Sequence, residues 1–153
     1  MFASRRRILQ LAGLSAAIAT PFVTGRAVSA SLDSIIKPER SDHKSFIEQA
    51  FAMRRLAIEQ GDQSYGALVV RDSVIVGQAP SRVLQRRDPT AHAEMEAIRD
   101  AAARLGSRDL AGCILYSSSR ACPMCEAAAY WANIENMVYG EDAEIAGAPR
   151  LCR

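Results

Sequence analysis

The chain has 153 residues and a mass of 16.6 kDa, the length of about one domain. With 49% apolar and 24% charged residues it can bury a core, which excludes a disordered chain, and four cysteines are too few for a disulfide-dense mini-scaffold. The net charge of +2 conceals an asymmetry: Arg5, Arg6, Arg7 and Arg26 stand in the first 30 residues, which hold no acid, and without them 15 of the 19 bases face 17 acids. The remaining domain is mildly acidic, so no nucleic-acid partner is expected.

Met1 to Ala30 reads as an export signal. Ser4-Arg5-Arg6-Arg7-Ile8-Leu9-Gln10 resembles the twin-arginine pattern, and a moderately apolar run from Ile8 to Val23 follows it. Val28-Ser29-Ala30 then offers the small residues that a signal peptidase takes. An uncleaved anchor is the alternative, but the run is short for a span, and no long apolar run follows. The expectation is an exported, periplasmic protein, carried folded by the twin-arginine machinery, with one domain from Ser31 to Arg153 and no stable membrane span.

Ser45 to Gln60 is predicted to be a helix, because Phe46, Ala50, Met53, Leu56 and Ala57 share one face and Gly61 can end it. Tyr65 to Val70 and Val74 to Val76 read as strands joined by a turn at Asp72-Ser73. Ala79 to Arg87 reads as a polar, basic loop. Thr90 to Leu105 reads as a helix stopped by Gly106. Cys113 to Ser117 is a strand, and Cys122 to Asn133 is a helix that takes Pro123 in its first turn. Asn136 to Tyr139 is the last strand, expected at the sheet edge, which is an association surface unless covered. Trp131 is expected in the core. The alternation of strand and helix after the hairpin predicts an α/β fold, a three-layer α/β/α sandwich.

The residues that carry chemistry lie at two helix starts. His92, Cys122 and Cys125 supply one imidazole and two thiols. Three protein ligands with a fourth position open is the arrangement of a catalytic zinc, whereas a structural site is usually closed by four. Cys122 and Cys125 can aim at one ion from a helix N-terminus, where backbone N–H groups and the dipole favour thiolate. Glu94 lies two residues beyond His92, about 200° away on a regular helix, so it stands beside the ion rather than on it. Zinc lowers the pKa of its water to roughly 7, and a neighbouring carboxylate can move the proton to a ring nitrogen and a leaving amine. A closed structural zinc site or a redox pair is the competing reading of the same residues.

His-Ala-Glu followed by Cys-x-x-Cys resembles the zinc-dependent cytidine and deoxycytidylate deaminase superfamily. Asp88 to Glu94, Cys113 to Ser118, Cys122 to Cys125 and Tyr130-Trp131-Ala132 are similar to bacterial guanine deaminases, and less fully to tRNA adenosine deaminases. The similarity spans about Phe46 to Gly147. The resemblance implies a cytidine-deaminase-like fold and zinc on His92, Cys122 and Cys125. It implies Glu94 as proton shuttle, the Ala93 N–H on the substrate edge, Tyr65 packed on the base and Asp142 reading it. It implies a free nucleobase or nucleoside as substrate, guanine first, and a homodimer. Other purines, cytosine derivatives and pterin-like rings stay open. Export argues against tRNA, which is cytosolic.

Three features depart from the family pattern. Arg120-Ala121 replaces Glu-Pro before the first cysteine. Ser81 stands where relatives carry a base-binding asparagine, and a hydroxyl reaches less far than an amide. The chain is also expected to have a shortened C-terminus. These departures keep a catalytically inactive, zinc-stabilised binding module as an alternative.

Overall fold

The computed structural model describes residues 38–151, so the expected signal at Met1 to Ala30 lies outside the described residues. Asp42 caps α1 (His43–Glu59): Ser45 N donates to Asp42 Oδ1 at 2.8 Å, and Asp42 N donates to Ser45 Oγ at 3.2 Å. This reciprocal box satisfies two N–H groups that the helix leaves without partners. Two strands follow, β1 (Gly66–Arg71) and β2 (Val74–Pro80), joined at Asp72 and Ser73, whose φ values of 50° and 61° give the left-handed turn of a tight hairpin. The expected loop after them divides. Ala79 and Pro80 complete β2, and Val83–Arg86 forms a single-turn helix, α2.

The second half contains α3 (Ala93–Leu105), β3 (Cys113–Ser117), α4 (Pro123–Trp131), β4 (Asn136–Tyr139) and β5 (Glu144–Gly147). The sheet order is β2-β1-β3-β4-β5. Strand β1 is antiparallel to β2 and β3, β3 is parallel to β4, and β5 is antiparallel to β4. Strand β4 is therefore not the edge expected from sequence. Val138 pairs with Ile145 and Tyr139 with Glu144, so the chain covers β4 with a strand of its own. The signal was weak because β5 has four residues, none of them buried.

Side chains alternate across the sheet with period two. Leu68, Val70, Tyr116 and Val138 meet Phe46, Ile47 and Ala50 of α1 on one face. Ala67, Val69, Leu115 and Met137 meet Ala93, Ala97 and Ala101 of α3 and Ala129 of α4 on the other. The result is the three-layer α/β/α sandwich. Two glycines set the layer spacing. A Cβ on Gly66 would lie 2.2 Å from Arg54 N of α1, and one on Gly77 would lie 2.5 Å from Ala101 N of α3. No helix of the described residues is long and apolar enough to cross a membrane.

Candidate metal centre and active site

The parallel pair β3–β4 and the crossover helix α4 bring two helix starts to one end of the sheet. His92 is the N-cap of α3, with extended φ/ψ of −62° and 154°. Cys122 is the N-cap of α4, with φ/ψ of −73° and 166°, Pro123 follows in the first turn, and Cys125 is the third helical residue. N-cap and N3 are the two positions whose side chains meet in a capping box. Here both are cysteine, neither helix has a side-chain cap, and the thiols face the imidazole instead. The predicted helices thus begin later than the sequence reading put them, because each ligand occupies the extended residue before the first turn.

The three donor atoms form a nearly equilateral triangle. Cys122 Sγ and Cys125 Sγ are 3.6 Å apart, and they lie 3.7 and 3.6 Å from His92 Nδ1. A tetrahedral zinc with bonds of ~2.3 Å to sulfur and ~2.0 Å to nitrogen requires edges of about 3.8 Å for S–S and about 3.5 Å for S–N. The triangle fits zinc, and both cysteines are free rather than disulfide-bonded. Burial, the Glu94 charge and Cys122 all push the Cys125 thiol up. A cation at the centre of the triangle would favour the thiolate, as metal ligation requires.

Glu94 is not part of the donor triangle. It is 5% exposed and lines the adjoining cleft. Burial pushes its carboxyl up, opposed by its own backbone N–H, by His92 and by Cys125. A buried carboxyl raised in this way is suited to taking and returning a proton. The cleft has a volume of about 770 Å³, within the usual range for small-molecule sites. Gln63, Ser64 and Tyr65 line it from the loop before β1, His92 and Glu94 from α3, and Ser119, Arg120 and Cys122 from the loop into α4.

Tyr65 reaches this cleft and is 44% exposed. Ala93 is the first residue of α3, so its N–H is one that the helix leaves without an internal acceptor. Ser81 does not reach the cleft. It is fully buried, and its hydroxyl donates to Asp62 Oδ1 at 2.9 Å. Asp62 Oδ2 also accepts from Leu84 N and Gln85 N, each at 3.0 Å, so this pair clasps the loop that carries α2. Burial pushes the Asp62 carboxyl up, but the N–H groups of Gln85, Gln63 and Leu84 and the Ser81 hydroxyl outweigh it and hold the carboxyl low. Asp142 is exposed in the turn between β4 and β5 and does not line the cleft.

Trp131 is 64% exposed, against the core position expected, and stacks edge-on against Tyr130 with centroids 5.5 Å apart. Arg120, where the family pattern has an acid, projects into the cleft with its guanidinium 5.8 Å from the Tyr139 ring centroid. The sequence carried no signal for Gln63 and Ser64. They follow a helix end as ordinary polar loop residues, and only the fold brings them to the site.

The model of the cytidine and deoxycytidylate deaminase zinc-binding region matches residues 40–141. The chain belongs to this family. A guanine deaminase of Bacillus subtilis (strain 168) is 37% identical over 102 residues, covering 66% of this chain and 65% of that protein. A tRNA-specific adenosine deaminase of Aquifex aeolicus (strain VF5) is also 37% identical, over 94 residues, covering 61% of this chain and 62% of that protein. The chain thus matches just under two thirds of the length of each of these relatives. The crystal structure of a guanine deaminase from Bacillus subtilis superposes with a TM-score of 0.63 at 38% identity, covering 65% of this chain and 64% of that one. In this family's terms, the donor triangle of His92, Cys122 and Cys125 is the zinc-binding region, and the ion it is positioned to hold is zinc.

Proposed function

We propose that the protein is a zinc-dependent aminohydrolase that replaces an exocyclic amine of a nucleobase or nucleoside by oxygen, with guanine plus water to xanthine plus ammonia as the first reaction to test. The observation that carries this reading is a buried, non-ligating carboxyl, Glu94, beside a three-donor metal triangle that opens on a cleft. Zinc, when bound, supplies Lewis-acid activation of water at neutral pH. His92, Cys122 and Cys125 hold the ion. Glu94 takes one proton of the attacking water and delivers it to the ring nitrogen, then carries the second from the new hydroxyl to the amine, which leaves as ammonia. The Ala93 N–H donates to the ring edge, and Tyr65 covers one face of the base. The same geometry serves any amine-bearing heterocycle, so the choice of guanine rests on the similarity to guanine deaminases.

Adenosine in tRNA is the second reading, favoured by the equal 37% identity to the Aquifex aeolicus enzyme. Ammonia release from guanine, other free bases, nucleosides and an anticodon stem-loop, by the zinc-loaded protein and by Glu94→Gln, separates the readings. Release from no substrate by folded, zinc-bound protein leaves the inactive binding module. Residues 1–30 are proposed as a twin-arginine signal that directs the protein to the periplasm. Fractionation of the wild type against the Arg5→Lys/Arg6→Lys variant tests that. A homodimer is proposed from the family resemblance, and sedimentation of the purified protein tests it.

A further inference from the structure

A second cavity lies away from the metal triangle, between α2, α3 and the end of β2, with a volume of about 270 Å³. Four arginines line it, Arg82, Arg86, Arg99 and Arg104, with only two acids, Glu96 and Asp100. Both acids are already occupied. Glu96, 5% exposed, accepts from Arg99 at Oε1 and from Arg86 at Oε2, each at 2.5 Å. Asp100 accepts from Arg104 Nε at 2.9 Å and from Gln78 N at 3.0 Å. The carboxylates therefore act as braces that aim the guanidinium groups. Arg86 and Arg99 each place one terminal nitrogen on Glu96, which leaves most of each five-donor fork available. Among the described residues no carboxylate pairs with Arg82. Nearby Asp88 does not line the cavity, and its Oδ1 is held by the N–H and hydroxyl of Thr90.

We propose that this cavity binds a phosphoryl group, either free phosphate or the phosphate of a small metabolite. The lining carries an excess of two positive charges, and guanidinium groups converge on it from α2 and from successive turns of α3. A tetrahedral dianion with several acceptor oxygens matches converging forks better than a planar carboxylate does. The small volume, about 270 Å³, favours a small ligand over an RNA backbone, which needs a track of charge along a surface. The site is separate from the reaction proposed above and does not depend on it.

The full zinc-loaded protein is titrated calorimetrically at constant ionic strength with inorganic phosphate and with glycerol 3-phosphate. Saturable binding of at least one is expected, weakened tenfold or more in Arg82→Gln and in Arg99→Gln, and retained after the metal is chelated. The tighter of the two probes identifies free or esterified phosphate as the source. Among the described residues Arg82 has no acidic partner, so Arg82→Gln keeps the fold, and its melting temperature and zinc content stay at the wild-type level. Absence of saturable binding overturns the proposal, as does binding that both substitutions leave unchanged or that vanishes with the metal. A short RNA that binds through these arginines while neither small phosphate does replaces the proposal with an RNA contact.

Discussion

Gly77→Ala tests whether the sandwich spacing holds the metal ligands in place. The added Cβ would lie 2.5 Å from Ala101 N, 2.6 Å from Ala97 O and 2.7 Å from Ala101 Cβ. The first two are backbone atoms of α3 and cannot rotate away. In an open strand the substitution would stabilise by roughly 0.5–1 kcal/mol, because alanine loses less chain entropy than glycine. Restoring ordinary contact here requires α3 to lift by nearly 1 Å. A gap of that size forfeits a quarter to a half of the dispersion energy along the interface of Ala93, Ala97 and Ala101 with the sheet. Overpacking of this kind costs about 3 kcal/mol, so the net expectation is a loss of about 2 kcal/mol, roughly 8 °C in melting temperature for a domain of this size. Urea unfolding of the metal-free protein measures the stability. Because His92 is the N-cap of α3, zinc affinity should fall in the same variant. A Gly77→Ala protein as stable as the wild type would refute the idea that this close approach sets the layer spacing.

Further predictions follow from the site. Glu94→Gln should lower turnover by about 10²–10⁴-fold while zinc content is unchanged, since Glu94 lies outside the donor triangle; metal analysis beside ammonia release checks both halves. Chelation should lower the melting temperature of the wild type but not of Cys122→Ala, and equal shifts in the two would show that the triangle is not the metal site. Asp62→Asn should destabilise the metal-free protein by about 1–3 kcal/mol, because a carboxylate accepting from Ser81, Gln63, Leu84 and Gln85 becomes a poorer acceptor. The folded-state pKa of Asp62 is held below its ordinary value of 3.8. Its stabilisation is therefore present above that pH and lost as pH falls through the folded value. The gap between wild type and Asp62→Asn should narrow only under strongly acid conditions, as pH-dependent unfolding would reveal.

Much of this was readable in the chain itself. Helices α1 and α3, the β1–β2 hairpin, β3 and β4 carry strong local signals: 3.6- and 2-residue periodicity, Gly61 and Gly106 as stops, and a two-residue turn. Strand β5 does not, because four unburied residues after a turn have no pattern to distinguish them from loop. The metal triangle was legible for a chemical reason. Imidazole and paired thiols at helix starts serve few purposes besides metal, and the spacing of Cys122 and Cys125 fits one helical turn.

Where the sequence alone misplaced a residue, the cause was a partner distant along the chain. Ser81 aligns with a base-binding position, yet Asp62, nineteen residues earlier, takes its hydroxyl. Arg86 belongs to a basic run that reads as solvated loop, yet the fold sets it against Glu96 on α3. Trp131 reads as core, yet α4 turns it outward because Cys125 and Ala129 take the buried face. Residue type and spacing determined the chemistry this chain can perform and the elements it forms. Which polar side chains are left for a ligand was decided by the tertiary structure, because each buried donor or acceptor is claimed by its nearest partner in space, whatever their separation in sequence.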